Sequence, residues 1–299
     1  VKLRLPATSA NLGPAFDAAA LALDRWLTIE ATESIDAAEF SISATGLNAD
    51  ICGRVEGNLI LDTYTATLLR PGQTVPTLSL SVDNQIPLGM GMGSSAAARL
   101  AGVALAAHFG KLGWSSQQVL EEACRLEKHP DNAAACWLGG FVTAVTAGEH
   151  VLAAKFVPPP QWTAIVVLPR NPLATESARA VLPEQVSRKD AVANLQRSAL
   201  LTAAFAQGRG DWLEAAMRDK LHQPYRSELC PLLPRLLPLS GGSGVMGVAL
   251  SGAGPAVLLL VESPQAASAP ELHARIHTLA EEPVELLVCG LVSDREAAS

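Results

Sequence analysis

Ile86-Pro-Leu-Gly-Met-Gly-Met-Gly-Ser-Ser-Ala-Ala-Ala98 runs three alternating glycines into two serines and an alanine-rich segment. Glycines at 89, 91 and 93 let the backbone turn tightly and approach a bound anion, while the first amides of a following helix have no intrahelical acceptor. Those free N–H groups sit at the positive end of the helix dipole and favour a polyphosphate. The stretch therefore reads as a phosphate cradle at a helix N-terminus. A Walker loop is ruled out, because Ser94 stands where its lysine would follow the last glycine. Gly91, Gly93 and Ala96 fit the G-x-G-x-x-A pattern of a dinucleotide fold, but Asn84, Gln85 and Pro87 separate them from the preceding strand. Residues 115–122, where that fold would place an acidic strand end, have a helical pattern instead. On these residues alone the stretch is equally a glycine turn that starts an Ala-rich helix.

Working outward, alternation over 77–83 gives a strand leading into the loop, and Leu100, Val103 and Ala107 give a helix from Ser94 to about His108, stopped by Gly110. Upstream, Gly57-Asn58 precedes a helix over 59–69 that Pro71-Gly72 ends. Downstream, Ser115 and Gln118 form a capping box, and Val119, Ala123 and Leu126 mark the core face of the next helix. Glu121 falls almost opposite that face and reads as a solvated carboxylate, whereas Glu127 lies nearer the apolar side. His129-Pro-Asp-Asn132 reads, as bare sequence, as the start of a short helix, with Pro130 in its first turn and Asp131 complementing the dipole.

At the N-terminus, 1–5 alternates as a strand, 6–17 is dense in turn formers and reads as loop, and 18–22, 26–32 and 39–44 suggest an antiparallel sheet. Turn chemistry alone makes Ser9, Asn11 and Asp17 Asx and Ser caps. Paired strands over 141–146 and 151–157 lead to Pro158-Pro-Pro160, where a second unit begins. Its pattern is a buried strand at 163–169, helices at about 176–182, 188–207, 211–221 and 228–239, strands at 245–250 and 256–261 around Ser251-Gly-Ala-Gly-Pro255, a helix at 268–281 and a strand at 284–289. The tail from Ser293 is expected to fray.

The chain has 299 residues, 49% of them hydrophobic, enough for two domains with a substantial core. Charged residues make up 17% and the net charge is −7, so nothing in the composition suggests a nucleic-acid footprint, which would need a clustered basic surface. A local metal ion and backbone amides can still hold a phosphate in an acidic protein. Five scattered cysteines without a C-x-x-C pair argue for a reducing compartment and against disulfides or a zinc site. No apolar run is long enough to span a membrane, which makes the cytoplasm the expected compartment.

Four separated segments line up with one family: Pro6-Ala-Thr-Ser-Ala-Asn-Leu-Gly-Pro-Ala-Phe-Asp17, the glycine loop, His129-Pro-Asp-Asn132 after a Glu-bearing helix, and Ser251-Gly-Ala-Gly-Pro255. In this order they resemble the GHMP small-molecule kinases. Gly57-Asn-Leu-Ile60, Thr175-Glu-Ser-Ala-Arg-Ala-Val-Leu-Pro183 and Leu221-His-Gln-Pro-Tyr-Arg226 narrow the resemblance to the homoserine kinase branch, over almost the whole chain. The resemblance implies a two-domain α+β fold, the GHMP kinase fold: residues 1–158 similar to a domain of a small-subunit ribosomal protein, and residues 159–299 ferredoxin-like. It implies transfer of the γ-phosphoryl group of ATP to the side-chain hydroxyl of L-homoserine, in a homodimer, with another GHMP kinase or a silent nucleotide sensor as the rivals.

By the same resemblance, Gly89, Gly91, Gly93, Ser94 and Ser95 hold the β- and γ-phosphates, Ser95 and Glu121 coordinate Mg2+, and Asn58 contacts the adenine. Spacing from the His-Pro-Asp-Asn segment selects Glu121 over Glu127. Homoserine is a zwitterion with one hydroxyl, so Arg179 and Arg226 clamp its carboxylate, Asp17 with Asn11 receives its ammonium group, and His129, Asp131 and Asn132 surround the hydroxyl. Ser251, Gly252 and Gly254 close the site through their backbone. An amide cannot be a general base, so Asn132 is expected to orient the hydroxyl while the proton leaves late. Departures from the family pattern are Ala15 for a glycine, which would make a positive φ costly there, Met90 and Met92 for an Arg and a Leu, and Lys128 for a glycine.

Overall fold

A computed structural model describes residues 1–34 and 39–294, so most of the tail beyond Ser293 lies outside the described residues. The first part of the chain forms strands β1 (Lys2–Asn11), β2 (Ala15–Glu33) and β3 (Ser41–Gly46), helices α1 (Ala49–Cys52) and α2 (Leu59–Leu69), and strand β4 (Leu78–Asn84). Helices α3 (Ser94–Phe109), α4 (Ser116–Glu127) and α5 (Asp131–Leu138) and strands β5 (Phe141–Ala147) and β6 (His150–Phe156) follow. These strands make one sheet in the order β3-β4-β2-β5-β6, with β1 also paired to β2. Only β3 and β4 run parallel.

The chain crosses to a second sheet between Phe156 and Thr163. Its elements are β7 (Thr163–Leu168), α6 (Thr175–Ala180), α7 (Arg188–Gln207), α8 (Leu213–Ala216), α9 (Gln223–Arg226), α10 (Leu232–Leu236), β8 (Val245–Leu250), β9 (Val257–Val261), α11 (Pro264–Ala267), α12 (Pro270–Ala280) and β10 (Glu285–Gly290). The sheet order is β10-β7-β9-β8, antiparallel throughout.

Strands β7 and β9 are covered on both faces, which is why they read as unbroken apolar runs. Their alternation sorts the residues between two cores. Ile165, Val167, Val257 and Leu259 pack with Leu232, Leu236, Leu272 and Ile276, whereas Ala164, Val166, Leu258 and Leu260 join the core of the first sheet. The second sheet is thus welded to the first. Residues after β10 tighten the weld, since the Val292 N–H donates to the Ala22 carbonyl and the Gly140 N–H to that of Val292.

Three expectations change. Residues 6–17 are mostly strand, with a turn only at Leu12–Pro14, because small Ala, Thr and Ser side chains bury cleanly under α5 and let the turn formers extend. Residues 18–22 and 26–32 belong to a single strand of 19 residues, whose pairing with β1 shifts at Pro6/Ala7 and Ala10/Asn11 and so blurs the alternation. The helix expected over 211–221 shrinks to a short turn and α8, because the carboxylate of Asp219 draws the next backbone amides into a loop. Ala15 carries no positive φ; that burden falls on Asn11, Leu12, Gly13 and Asp17. None of the five cysteines is in a disulfide, and burial pushes the thiols of Cys124 and Cys289 up to about 12.

Candidate active site

The glycine loop enters α3 with Gly89, Gly91 and Gly93 all at positive φ, of 70°, 76° and 72°, and Gly93 is the N-cap. Two of these glycines are also demanded by their neighbours. A Cβ on Gly91 would lie 2.1 Å from the carbonyl oxygen of Ser251, and one on Gly93 would lie 2.0 Å from Thr8 Oγ1. The second glycine turn therefore backs the first, and the Ser251 hydroxyl donates to the Gly91 carbonyl at 2.8 Å. The amides at the start of α3 are left pointing outward, as an anion requires.

Beside them Ser95 Oγ donates to Glu127 Oε1 at 2.8 Å, and Arg99 bonds the same oxygen. Glu127 is the carboxylate that meets the loop. Glu121 is not: its Oε1 accepts from Gln117 Nε2 and the Val151 N–H and contacts His150, toward β6. Six residues along a helix rotate a side chain by well over a full turn, so the two glutamates project to different neighbours. The helix-face pattern, which favoured Glu127, agrees with this geometry; the spacing that selected Glu121 does not. Glu127 Oε2 has no protein partner among the described residues, so Ser95 and Glu127 present hard oxygen donors that fit a Mg2+ ion.

A cavity of about 240 Å³ adjoins Ser94 and Ser95 and is walled by Leu27, Ile51, Leu59, Val82 and Ile86. Its size and apolar walls suit a flat base. Asn58 lies on this wall, but its Oδ1 accepts from the Ile60 N–H and its Nδ2 donates to the carbonyls of Cys52 and Arg54. It caps α2 and shapes the wall, with both hydrogens of its amide already given to backbone carbonyls.

On the other side of the loop, polar groups from both sheets converge. Arg179, on α6, forks onto Asp17 with contacts of 2.6 and 3.0 Å. The Asp17 N–H donates to Asn11 Oδ1, and Asn11 Nδ2 donates to the Gly252 carbonyl. Asn11 therefore holds Asp17 to the second glycine turn and positions that carboxylate. Ligand atoms of Asp17, His129 and Asp131 lie within 4.8 Å of one another. His129 Nδ1 is 3.0 Å from Asp131 Oδ1, and that bond raises its pKa above the ordinary value against the opposing effect of burial. Asp131 Oδ1 also accepts the Asn132 N–H at 2.7 Å.

Arg226, on α9, is only 1% exposed. Its Nε donates to the Ala178 carbonyl at 2.9 Å and its Nη1 to His222 Nδ1 at 3.0 Å. His222 can accept because its Nε2 donates to the Gly13 carbonyl, and burial holds its pKa below the ordinary value. No carboxylate lies within ion-pair distance of Arg226 among the described residues, and burial, with Arg179 nearby, lowers the pKa of its guanidinium. The two guanidinium carbons sit 5.4 and 5.3 Å from the ring of Phe16, which stacks on His222. A buried cation without a counter-ion is costly, so this position is built to receive an anion.

The structure thus brings together Asp17, His129, Asp131, Asn132, Arg179 and Arg226, with the two glycine turns beside them. Sequence reasoning passed over Thr8, Phe16, Asp219 and His222. Of these, Thr8 and Phe16 lay within the Pro6–Asp17 segment and His222 within Leu221–Arg226, while Asp219 carried no signal.

Comparison with known proteins bears on the whole chain. Residues 58–140 match the model of the GHMP kinases N terminal domain, and residues 201–270 that of the GHMP kinases C terminal. The chain is 44% identical to a homoserine kinase of Solibacter usitatus over 97% of its own length and 94% of that protein's. It is 39% identical to a homoserine kinase of Desulfitobacterium hafniense, covering 100% of this chain and 99% of the other. A solved homoserine kinase from Cytophaga hutchinsonii superposes with a TM-score of 0.79 at 24% identity, over 98% of this chain and 95% of that one, a likeness of fold.

Proposed function

Since this chain belongs to the GHMP kinases, and within them to the homoserine kinases, we propose that it transfers the γ-phosphoryl group of ATP to the side-chain hydroxyl of L-homoserine, a step of threonine biosynthesis. The observation that carries the substrate assignment is Arg226, a buried guanidinium with no carboxylate of its own, set beside the Arg179–Asp17 pair. A zwitterionic amino acid offers the complementary charges: its carboxylate to Arg226 and Arg179, its ammonium group to Asp17. An uncharged sugar offers neither.

In this reading the nucleotide base enters the cavity beside α2, and the amides from Gly89 to Ser95 hold the β- and γ-phosphates. Ser95 and Glu127 are the residues that would hold Mg2+; when bound, the ion offsets the charge of the phosphates. Asn132 and His129, both tied to Asp131, face the hydroxyl end of the substrate. The alcohol oxygen forms its bond to phosphorus as the bridging oxygen leaves with ADP, and the hydroxyl proton passes to phosphate or solvent. No amide can accept it. Gly252 and Gly254 keep the second turn close behind the loop. No described helix is long and apolar enough to cross a membrane, and the cytoplasm and a homodimer complete the proposal.

The test is a coupled assay of ADP formation with homoserine, mevalonate, a sugar panel and no acceptor. Turnover with homoserine well above the rest is expected. Activity confined to an alcohol that is not an amino acid would overturn the substrate, and ATP binding without turnover on any acceptor would make the protein a sensor.

A further inference from the structure

Thr8 is fully buried in β1, between the phosphate loop and α5. Its backbone N–H donates to the Met92 carbonyl at 3.0 Å, and its Oγ1 lies 2.6 Å from Asn132 Oδ1. The space it fills is the space a side chain at Gly93 would need, 2.0 Å from a Cβ there. One residue therefore touches the loop with its main chain and the Asn132 amide with its side chain.

The direction of the second contact follows from Asp131. Asp131 Oδ1 accepts the Asn132 N–H at 2.7 Å and lies 3.3 Å from Asn132 Nδ2. Turning the amide over would set a carbonyl oxygen against that carboxylate oxygen, so Nδ2 faces Asp131 and Oδ1 faces Thr8. The hydroxyl proton of Thr8 then has to point at Oδ1.

On the kinase reading above, we infer that Thr8 is a positioning residue for phosphoryl transfer: it occupies the oxygen of Asn132, so that residue 132 meets the reacting oxygens only as an N–H donor, at a distance from the phosphate loop that Thr8 itself sets. Asn132 donates through Nδ2 to the alcohol oxygen or to an oxygen of the γ-phosphoryl group. The separation between that donor and the loop amides is fixed by the span of a single threonine.

Thr8→Val keeps the shape and removes the donor; Thr8→Ser keeps the donor. Thr8→Val is expected to lower kcat by on the order of tenfold or more, with KM for ATP and for homoserine changed by no more than roughly twofold. Thr8→Ser should recover kcat to within about threefold of wild type. In an Asn132→Ala background, Thr8→Val should cost nothing further, because the group it positions is gone. A kcat unchanged by Thr8→Val, a loss confined to KM, or the same loss with and without Asn132 would each overturn the inference. If Thr8→Val does not fold, Thr8→Cys, with a weak donor of similar size, is expected to give an intermediate kcat, and a wild-type value would overturn the inference equally. The ratios are measured with whichever alcohol the wild type turns over, so a failed substrate assignment shows in the wild type and a failed role for Thr8 shows in the variants. A wild type silent on every alcohol refutes both.

Discussion

The meaning of a residue here depends on who holds it. Asn11, Asn58 and Asn132 are all asparagines beside the candidate site, yet Asn58 spends both amide hydrogens on carbonyls and Asn11 bridges Asp17 to the second glycine turn, whereas Asn132 is tied to the side chains of Thr8 and Asp131. Arg226 is the opposite case, a charge with no carboxylate within ion-pair distance among the described residues, and Arg226→Met should raise KM for homoserine by about 10- to 150-fold, the loss of a bond between charged groups worth about 1.5–3 kcal/mol, while KM for ATP stays near wild type. Initial rates against each substrate check this. Glu127→Gln should raise the Mg2+ concentration for half-maximal turnover and lower kcat at least about tenfold, whereas Glu121→Gln stays within about twofold; the reverse order in a Mg2+ titration would restore Glu121 as the ligand. His129 adds a pH signature. Its folded pKa is raised, so its contribution to stability is complete below its unfolded value near 6.5 and is lost as pH rises through the folded one. The gap in urea midpoint between wild type and His129→Gln should therefore be wider at about pH 5.5 than at about pH 8.5.

At the scale of elements, what could be read in advance depended on whether the signal was local. Helix α4 announced itself through the Ser115–Gln118 capping box and its apolar face, and that face also pointed to Glu127. Helix α3 was equally plain, from Gly93 to Gly110. Strand β2 was not, because irregular pairing with β1 breaks the alternation that marks a strand, and the loop at Asp219 was not, because a carboxylate capping three amides looks like any acidic residue in a helical pattern. The role of Thr8 lay hidden for a different reason: within its quoted segment threonine is an ordinary strand residue, and its partner is 124 positions away. The tight seat of the loop gives a prediction at this scale. Gly91→Ala adds a methyl 2.1 Å from the Ser251 carbonyl at a φ of +76°, so the unfolding free energy read from urea denaturation should fall, by about 1–3 kcal/mol for the strained backbone and more for the clash, and KM for ATP should rise with it.

Over the whole molecule, the change from one sheet to the other near Pro158–Pro160 was visible as a run of prolines, but nothing local said that the two sheets share a core. That property belongs to contacts between distant strands, and alternate residues of β7 and β9 supply it. A chain whose two sheets are joined in this way should unfold as one unit. Urea denaturation followed by tryptophan fluorescence and by far-UV circular dichroism should give coincident single transitions, and separated transitions would mean that the sheets are held together less firmly than their common core implies.

Where Gly91 lies against Ser251 and Gly254 there is no room for a methyl group, so the two glycine turns meet backbone to backbone. Enzymes that shut on their substrates by swinging one lobe toward another need a seam that can part and re-form. Here the seam is the back wall of the phosphate loop, and opening it would dismantle the loop. Whatever moves as substrates enter is then the side chains at the mouth of the cleft, the Arg179–Asp17 fork first among them, and the wall behind the phosphates stays where it is.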